Sequence, residues 1–434
     1  MDLDPRASRG ARIHPTVPKG CDVSTTQVRR DSTAAAVAVG SLFAINGVVI
    51  GGYAGVLAGM RARFDIDAGT LAILLFCVGV AAVASMQVGG RMADRVGART
   101  VTLAVTPVLV LGAVLLALAP SFPLAVVAGM VLGLGNGAMD VGMNAIGVEV
   151  EKERPKPVMS RFHAFWSIGS FAGSGVVLAT AALVGDEGWS VVTPALLTVA
   201  AIGALAFAVT VRSVPYTPPI SHVTEEGTRT PIPPIAWLLG GMAVCFGLME
   251  GTAYDWSSIH VADVAQVDPG LAAVGLVTVC AFMVGMRLMG DSAVSRFGHQ
   301  AVVRGGALCA VLGYAITASA TALPVILLGW ALVGFGVAMI APQIYAAAGH
   351  LGGGRMLAVV VTFGYAAFLA GPAILGWLVH TYGVQRAMLL PLVLGFVLVV
   401  LSRWMPAVGV HATSRDSETS EPARAPGSDR WPAP

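Results

Sequence analysis

Long apolar stretches divided by short polar ones run through almost the whole chain, at 33–60, 70–88, 100–119, 123–147, 162–184, 190–211, 235–262, 271–290, 301–320, 324–348, 357–380 and 386–404. At about 1.5 Å per residue, each is long enough to cross about 30 Å of hydrocarbon as a helix. The pattern predicts an all-α membrane protein with twelve transmembrane helices. One stretch breaks its own rule. Within Gly133-Leu134-Gly135-Asn136-Gly137-Ala138-Met139-Asp140-Val141-Gly142-Met143-Asn144, three polar residues fall at i, i+4 and i+8, which stacks Asn136, Asp140 and Asn144 on a single helical face. An ionisable group at membrane depth is expensive and normally faces a bundle interior or a water-filled cavity. This face is therefore expected to wall a polar path.

Composition strengthens the membrane reading, because 56% of residues are hydrophobic and only 12% are charged. The formal charge of +2 implies no nucleic-acid partner. Its distribution is more telling. Arg91, Arg95, Arg99, Lys152, Arg154, Lys156, Arg161, Arg212, Arg229, Arg296, Arg304 and Arg355 all fall in connections on one side, against Arg61, Arg63 and Arg386 on the other. Positively charged loops stay inside, so both termini are expected in the cytoplasm, in a multi-pass protein of the inner (cytoplasmic) membrane. The basic stretch before residue 33 lacks the apolar core and cleavage site of a signal peptide, so the first span is expected to stay in the mature chain. The five cysteines show no CxxC or Cys/His spacing, and neither a metal site nor a disulfide framework is supported. No phosphate loop or nucleophile triad is present, so no cofactor and no enzyme chemistry are expected.

The chain also repeats itself. A shift of 201 positions lays spans one to four onto spans seven to ten without a gap, pairing Tyr53 with Tyr254, Asp67 with Asp268, Gly89 with Gly290, Arg95 with Arg296, Gly97 with Gly298, Gly112 with Gly313, Gly133 with Gly334 and Gly135 with Gly336. The expected organisation is a disordered tail (1–32), a six-helix half (33–211), a Pro-rich cytoplasmic linker (212–234), a second six-helix half (235–404) and a disordered tail (405–434). Parallel halves with a site at their interface are one build of secondary transporters.

Between spans two and three lies Gly90-Arg91-Met92-Ala93-Asp94-Arg95-Val96-Gly97-Ala98-Arg99. It resembles the G-x-x-x-D-R-x-G-R-[RK] loop of the major facilitator superfamily, departing at Ala98, and in the second half Ser295 replaces Asp94. The resemblance spans about 33–404. It implies the major facilitator fold and a gating role for Gly90, Asp94, Arg95, Gly97 and Arg99. Gly133 to Asn144 is similar to the fourth helix of the fucose–proton symporter family. By that resemblance Asp140 takes the place of the proton-coupled, sugar-facing acid and Asn144 that of its polar neighbour. That family also has an acid in its first span, where this chain offers Asn46 and Tyr53. The segments 162–167 and 250–256 resemble a branch of bacterial inner-membrane facilitators whose substrates are mostly unassigned. Two patterns of proton-coupled drug antiporters are missing: 124–132 holds no arginine, and Gly173-Ser174 stands where they have Gly-Pro. The Gly371-Pro372 pair in span eleven is a candidate gating kink.

Candidates for the proton-coupling and substrate cavity are thus Asp140, Asn136, Asn144, Glu250, Tyr254, Asn46, Trp166 and Gln343, with Tyr345 and Tyr365 as further lining groups. A buried ion pair or an interhelical hydrogen bond is the plainer use of Asp140 and Glu250. Asp255, Trp256 and His260 are expected nearer the outer surface, His163 near the inner one, and Arg287 paired locally with Asp291, with cavity lining as its alternative. The expected function is transport of a small solute by alternating access, proton-coupled, with a polar or sugar-like solute favoured and the chain acting as a monomer in the bilayer. A multidrug or metabolite efflux antiporter and a non-transporting sensor on the same scaffold are the alternatives.

Overall fold

The computed structural model describes residues 25–154, 158–184, 190–219 and 232–406. Most of both tails, for which disorder was expected, and the middle of the linker lie outside these residues. Twelve helices are long and apolar enough to cross a membrane: α1 (Thr33–Gly55), α2 (Ala68–Val96), α3 (Ala98–Leu118), α4 (Phe122–Lys152), α5 (Met159–Val184), α6 (Val192–Thr210), α7 (Pro234–Ala265), α8 (Leu271–Gly290), α9 (His299–Ser319), α10 (Leu323–Gly353), α11 (Met356–Tyr382) and α12 (Val384–Trp404). Differences from the apolar pattern sit where glycine weakens the helix. The first stretch breaks after Gly55 and resumes as a short helix, Leu57–Arg63. Gly352 and Gly353 part α10 from α11, and the φ of +60° at Gly353 is one that a side chain disfavours.

The motif between α2 and α3 is less of a loop than its resemblance suggests. Helix α2 runs through Gly90, Asp94 and Arg95 to Val96, and the reversal rests on Gly97 with φ of +88°. Gly298, its partner in the 201-residue register, repeats the geometry with φ of +78° after the helix of α8 ends at Phe297. Thr217 buttresses the first turn. Its hydroxyl accepts from the backbone N–H of Arg99 at 2.8 Å, and its carbonyl lies against Gly97.

The same register governs packing. Gly133 lies against Val78 and Gly334 against Val279; Gly135 meets Leu109 and Gly336 meets Ala310; Gly112 meets Leu132 and Gly313 meets Val333; Gly89 meets Ala138 and Gly290 meets Met339. In lipid there is no hydrophobic drive between helices, so association depends on close backbone approach at small residues. Gly47 and Gly51 of α1 fit Trp166 and Ser170 of α5 in this way, while Gly169 and Gly173 of α5 return the contact to Ala44 and Val48. The perimeter is apolar and exposed, with Leu183, Leu205, Val209, Trp377 and Phe396 among its side chains. Such a surface is an aggregation hazard in water and a natural one in hydrocarbon.

α1–α6 and α7–α12 meet most closely at one end. Arg61, after α1, forms a two-pronged ion pair with Asp263 of α7. Along α2 and α11, Asp67 lies 3.3 Å from His380, Gly69 packs on the His380 ring, Ala72 on Gly376 and Gly79 on Leu369. Ala181 of α5 meets Gly270 at the start of α8. Towards the Gly97 end, Val88, Met92 and Val96 of α2 are exposed. The Arg61 end is closed.

Candidate functional site

The polar face of α4 reaches three other helices. Asn136 accepts through Oδ1 from the side-chain amide of Asn46 at 2.9 Å, and the Oδ1 of Asn46 accepts from Trp166 Nε1–H at 2.8 Å. One amide chain therefore ties α4 to α1 and α5. With Asn46 only 2% exposed, its own amide donor and acceptor would otherwise go unsatisfied. Asp140 takes different partners. Its Oδ1 accepts from the Asn144 amide at 3.2 Å, and its Oδ2 accepts from the Tyr365 hydroxyl of α11 at 3.0 Å. Asn144 also donates to the Asp140 carbonyl at 2.8 Å, the i+4 contact the spacing implies. Asn136 does not reach Asp140; the second partner of the carboxylate comes from the opposite six helices.

A second cluster centres on Arg287 of α8, whose expected local partner, the Asp291 side chain, lies outside the described residues. The guanidinium points into the bundle, because a long stem lets the charged head travel from its own helix to distant acceptors. It donates to Glu250 Oε1 at 3.5 Å, to the Ala338 carbonyl at 3.3 Å, to the His163 carbonyl at 3.4 Å and to the Ser167 hydroxyl. Its Cζ stands 5.9 Å from the centre of the Trp166 ring. Glu250 is 8% exposed, so the pair is desolvated. Removing either partner of such a pair is strongly destabilising, although the pair itself is weak evidence of net stability. Tyr254, one turn beyond Glu250, meets Trp166 at 5.5 Å between ring centroids. Arg287, Tyr254 and Tyr365 thus bring the two sets of six helices together around Trp166 and Asp140.

Several other expectations change. Gln343 is buried, but its amide oxygen lies 2.5 Å from His299 Nδ1, which ties it to the start of α9 instead of to the α4–α11 contact. His260 and Trp256 are not solvated: they are 0% and 1% exposed. His260 Nε2 sits 2.9 Å from the Thr317 carbonyl with its ring edge-on to Trp330, so a neighbouring helix end partners one ring nitrogen, while Nδ1 is buried without a hydrogen bond. His163 is exposed and lies edge-on to Phe43. Pro372 sits inside the continuous helix α11, beside Gly371, which packs on Leu248. Ser167 had no sequence signal, since a serine in an apolar span is ordinary. Arg287 had one: it is the single arginine within 271–290.

Comparison with known proteins bears on this arrangement. Residues 39–354 match the family model of the Major Facilitator Superfamily. An uncharacterised transporter of Sinorhizobium fredii is 32% identical over 342 residues, covering 77% of this chain and 89% of the relative. An uncharacterised MFS-type transporter of Yersinia pestis is 30% identical over 341 residues, covering 77% and 86%. The membrane protein MosC of Rhizobium meliloti is 25% identical over 382 residues, covering 84% and 88%. Among solved structures, a mutant of the nucleoside transporter NupG superposes with a TM-score of 0.67 at 13% identity, covering 85% of this chain and 98% of that one. The fucose:proton symporter FucP of E. coli does so with a TM-score of 0.60 at 16% identity, covering 86% and 98%.

Proposed function

Because the chain belongs to the major facilitator superfamily, and is a multi-pass membrane transporter by that membership, we propose that it carries a small polar solute by proton-coupled alternating access. The observation that supports this most is the contact of Asp140 with Tyr365. A carboxyl group on α4 is held by a hydroxyl from α11 at 3.0 Å, so its surroundings must change whenever the two six-helix halves move apart. A proton carrier needs that property: charged in one access state, neutral in the other. Asn144 supplies an amide donor to the same carboxyl, and Glu250 with Arg287 is the second acid of the centre. Asn46, Asn136, Trp166 and Tyr254 offer amides and polar-tipped aromatics, a lining that combines apolar contact with hydrogen bonding and suits a sugar-like or nucleoside-like solute. NupG and FucP share the fold, so the solute class rests on these side chains.

In this reading the arginine-rich Gly97 end faces the cytoplasm, as do both termini, and the protein lies in the cytoplasmic membrane as a monomer. The closed Arg61 end then faces outward. The halves 33–211 and 235–404 rock as bodies about the linker 212–234, with Gly90, Asp94, Arg95, Gly97 and Arg99 gating the inner end.

A panel of monosaccharides, polyols and nucleosides tested for thermal stabilisation of the purified protein identifies the solute, since a ligand that binds only the folded state raises the melting temperature by mass action. Uptake of the hit into liposomes should then follow an inward pH gradient. Uptake indifferent to that gradient would remove the proton from the scheme.

A further inference from the structure

Helix α7 carries three acids on its way to the closed end: Glu250, Asp255 and Asp263, five and eight residues apart. Along the axis these steps are about 7.5 and 12 Å. The first acid lies 3.5 Å from Arg287, and the third is gripped by Arg61. The middle one is different. Asp255 is half-buried, and no hydrogen bond or ion pair joins its carboxyl to any described residue. From α1, Tyr53 lies within electrostatic reach of it. Tyr53 is 5% exposed, and its hydroxyl is buried with no hydrogen-bond partner. It stands two helical turns beyond Asn46, on the same face of α1 as the amide chain.

The other charged or titratable groups around Asp255 are already engaged. On its own helix, Tyr254 turns to Trp166 and Glu250 to Arg287; from α8, Cys280 lies 3.9 Å from the Tyr254 hydroxyl. Arg61 holds Asp263, and His380 of α11 lies at the outer end beside Asp67. A carboxylate at membrane depth without a cation, within electrostatic reach of a buried phenol without an acceptor, is an unbalanced pair in which both members are costly. One proton on the carboxyl removes the charge. Donation of the Tyr53 O–H to the carboxylate satisfies both groups once water reaches the site.

We infer that Asp255 is a second proton-binding site of the transporter, set under the outer seal and served by Tyr53. In the closed state the carboxyl holds the proton. When Arg61 and Asp263 part and α1 separates from α7, the O–H bond of the acid breaks, the proton passes to outer water, and the carboxylate accepts from Tyr53. The return step reverses each transfer. This rests on the alternating-access reading, but not on the role given to Asp140. It also places an acid opposite the first helix, which has none of its own within the membrane.

Infrared difference spectra at stepped pH, recorded on the full-length protein in liposomes, test the site without any solute. Asp255→Asn should delete one component of the protonated-carboxyl C=O band. Asp255→Glu should restore it at a shifted frequency, Tyr53→Phe should move it, and Asp140→Asn should delete a separate component. An unchanged band in an Asp255→Asn protein that still melts cooperatively overturns the inference. Should that variant fail to fold, a band left in place by both Asp255→Glu and Tyr53→Phe overturns it equally. Loss of the Asp255 component alone, with Asp140→Asn spectrally silent, would uphold this site and remove Asp140 as a proton carrier.

Discussion

The ion pair between Arg61 and Asp263 should set how often the outer end opens. Both guanidinium nitrogens reach the carboxylate, and the side chains are 21% and 32% exposed. A fully exposed pair contributes about 0.2–1 kcal/mol, and a hydrogen bond to a charged group about 1.5–3 kcal/mol. Partial exposure places this pair between them, at about 1–2 kcal/mol, which is about a 5–30-fold change in a two-state ratio. Arg61→Ala should therefore raise the outward-open population by that factor. The neighbouring contact of His380 with Asp67 is 60% and 56% exposed and should contribute far less. Spin labels at Ser121→Cys and Ala322→Cys, the N-caps of α4 and α10 in the two halves, report the outer separation directly once the native cysteines are replaced. Asp263→Ala should shift the distance distribution as Arg61→Ala does, and the double variant no further than either. Additive shifts, or none, would refute the seal.

Other expectations follow from local geometry. A methyl group at Gly133 or Gly334 would run into the backbone of Val78 or Val279, so Gly133→Ala and Gly334→Ala should each lower stability by about 1–3 kcal/mol in denaturant or thermal melts. Gly175, with nothing within 4 Å, should tolerate alanine and gain up to about 1 kcal/mol of helix propensity. Asp67 caps α2 by accepting from the Thr70 backbone N–H at 2.6 Å, so Asp67→Ala should cost about 1 kcal/mol and Asp67→Asn much less. That backbone hydrogen bond, with the nearby Thr70 side chain and His380, holds the Asp67 carboxyl below the usual aspartate range. Its contribution is therefore complete above the unfolded-state pKa and fades as pH falls through the lower folded-state value, which a pH series of melts on wild type and Asp67→Asn would reveal. Asp94→Ala should slow turnover while leaving solute affinity largely intact; collapse of affinity with normal turnover would deny the motif its gating role.

How much of this molecule was readable in the residues depended on the range of each interaction. The spans followed from hydropathy alone, since a membrane helix must satisfy its backbone internally and cover itself with apolar side chains. The 201-residue register was visible as matched glycines, and it reappears as matched contacts because those glycines mark where helices touch. The i, i+4 geometry correctly joined Asp140 to Asn144. It could not show that Asn136 turns away to Asn46, or that Tyr365, 225 residues along, supplies the other contact to Asp140. Nor could spacing along one helix show the partners Arg287 finds elsewhere, Ser167 120 residues away and Glu250 37 residues away. Trp256 and His260 were placed by depth along α7, which says nothing about which side of the helix is covered by α9 and α10.

The claim on which the account turns is that Asp140 carries protons more than it carries solute. Asn has nearly the shape of Asp and can still accept from Tyr365 through its oxygen, but it cannot titrate. In liposomes loaded with the identified solute, Asp140→Asn should retain solute-for-solute exchange while losing uphill accumulation driven by a pH gradient. Glu250→Gln, measured beside it, shows whether the second acid shares the task. Gradient-driven accumulation at the wild-type level by Asp140→Asn would contradict the account and leave Asp140 as a polar strut between α4 and α11.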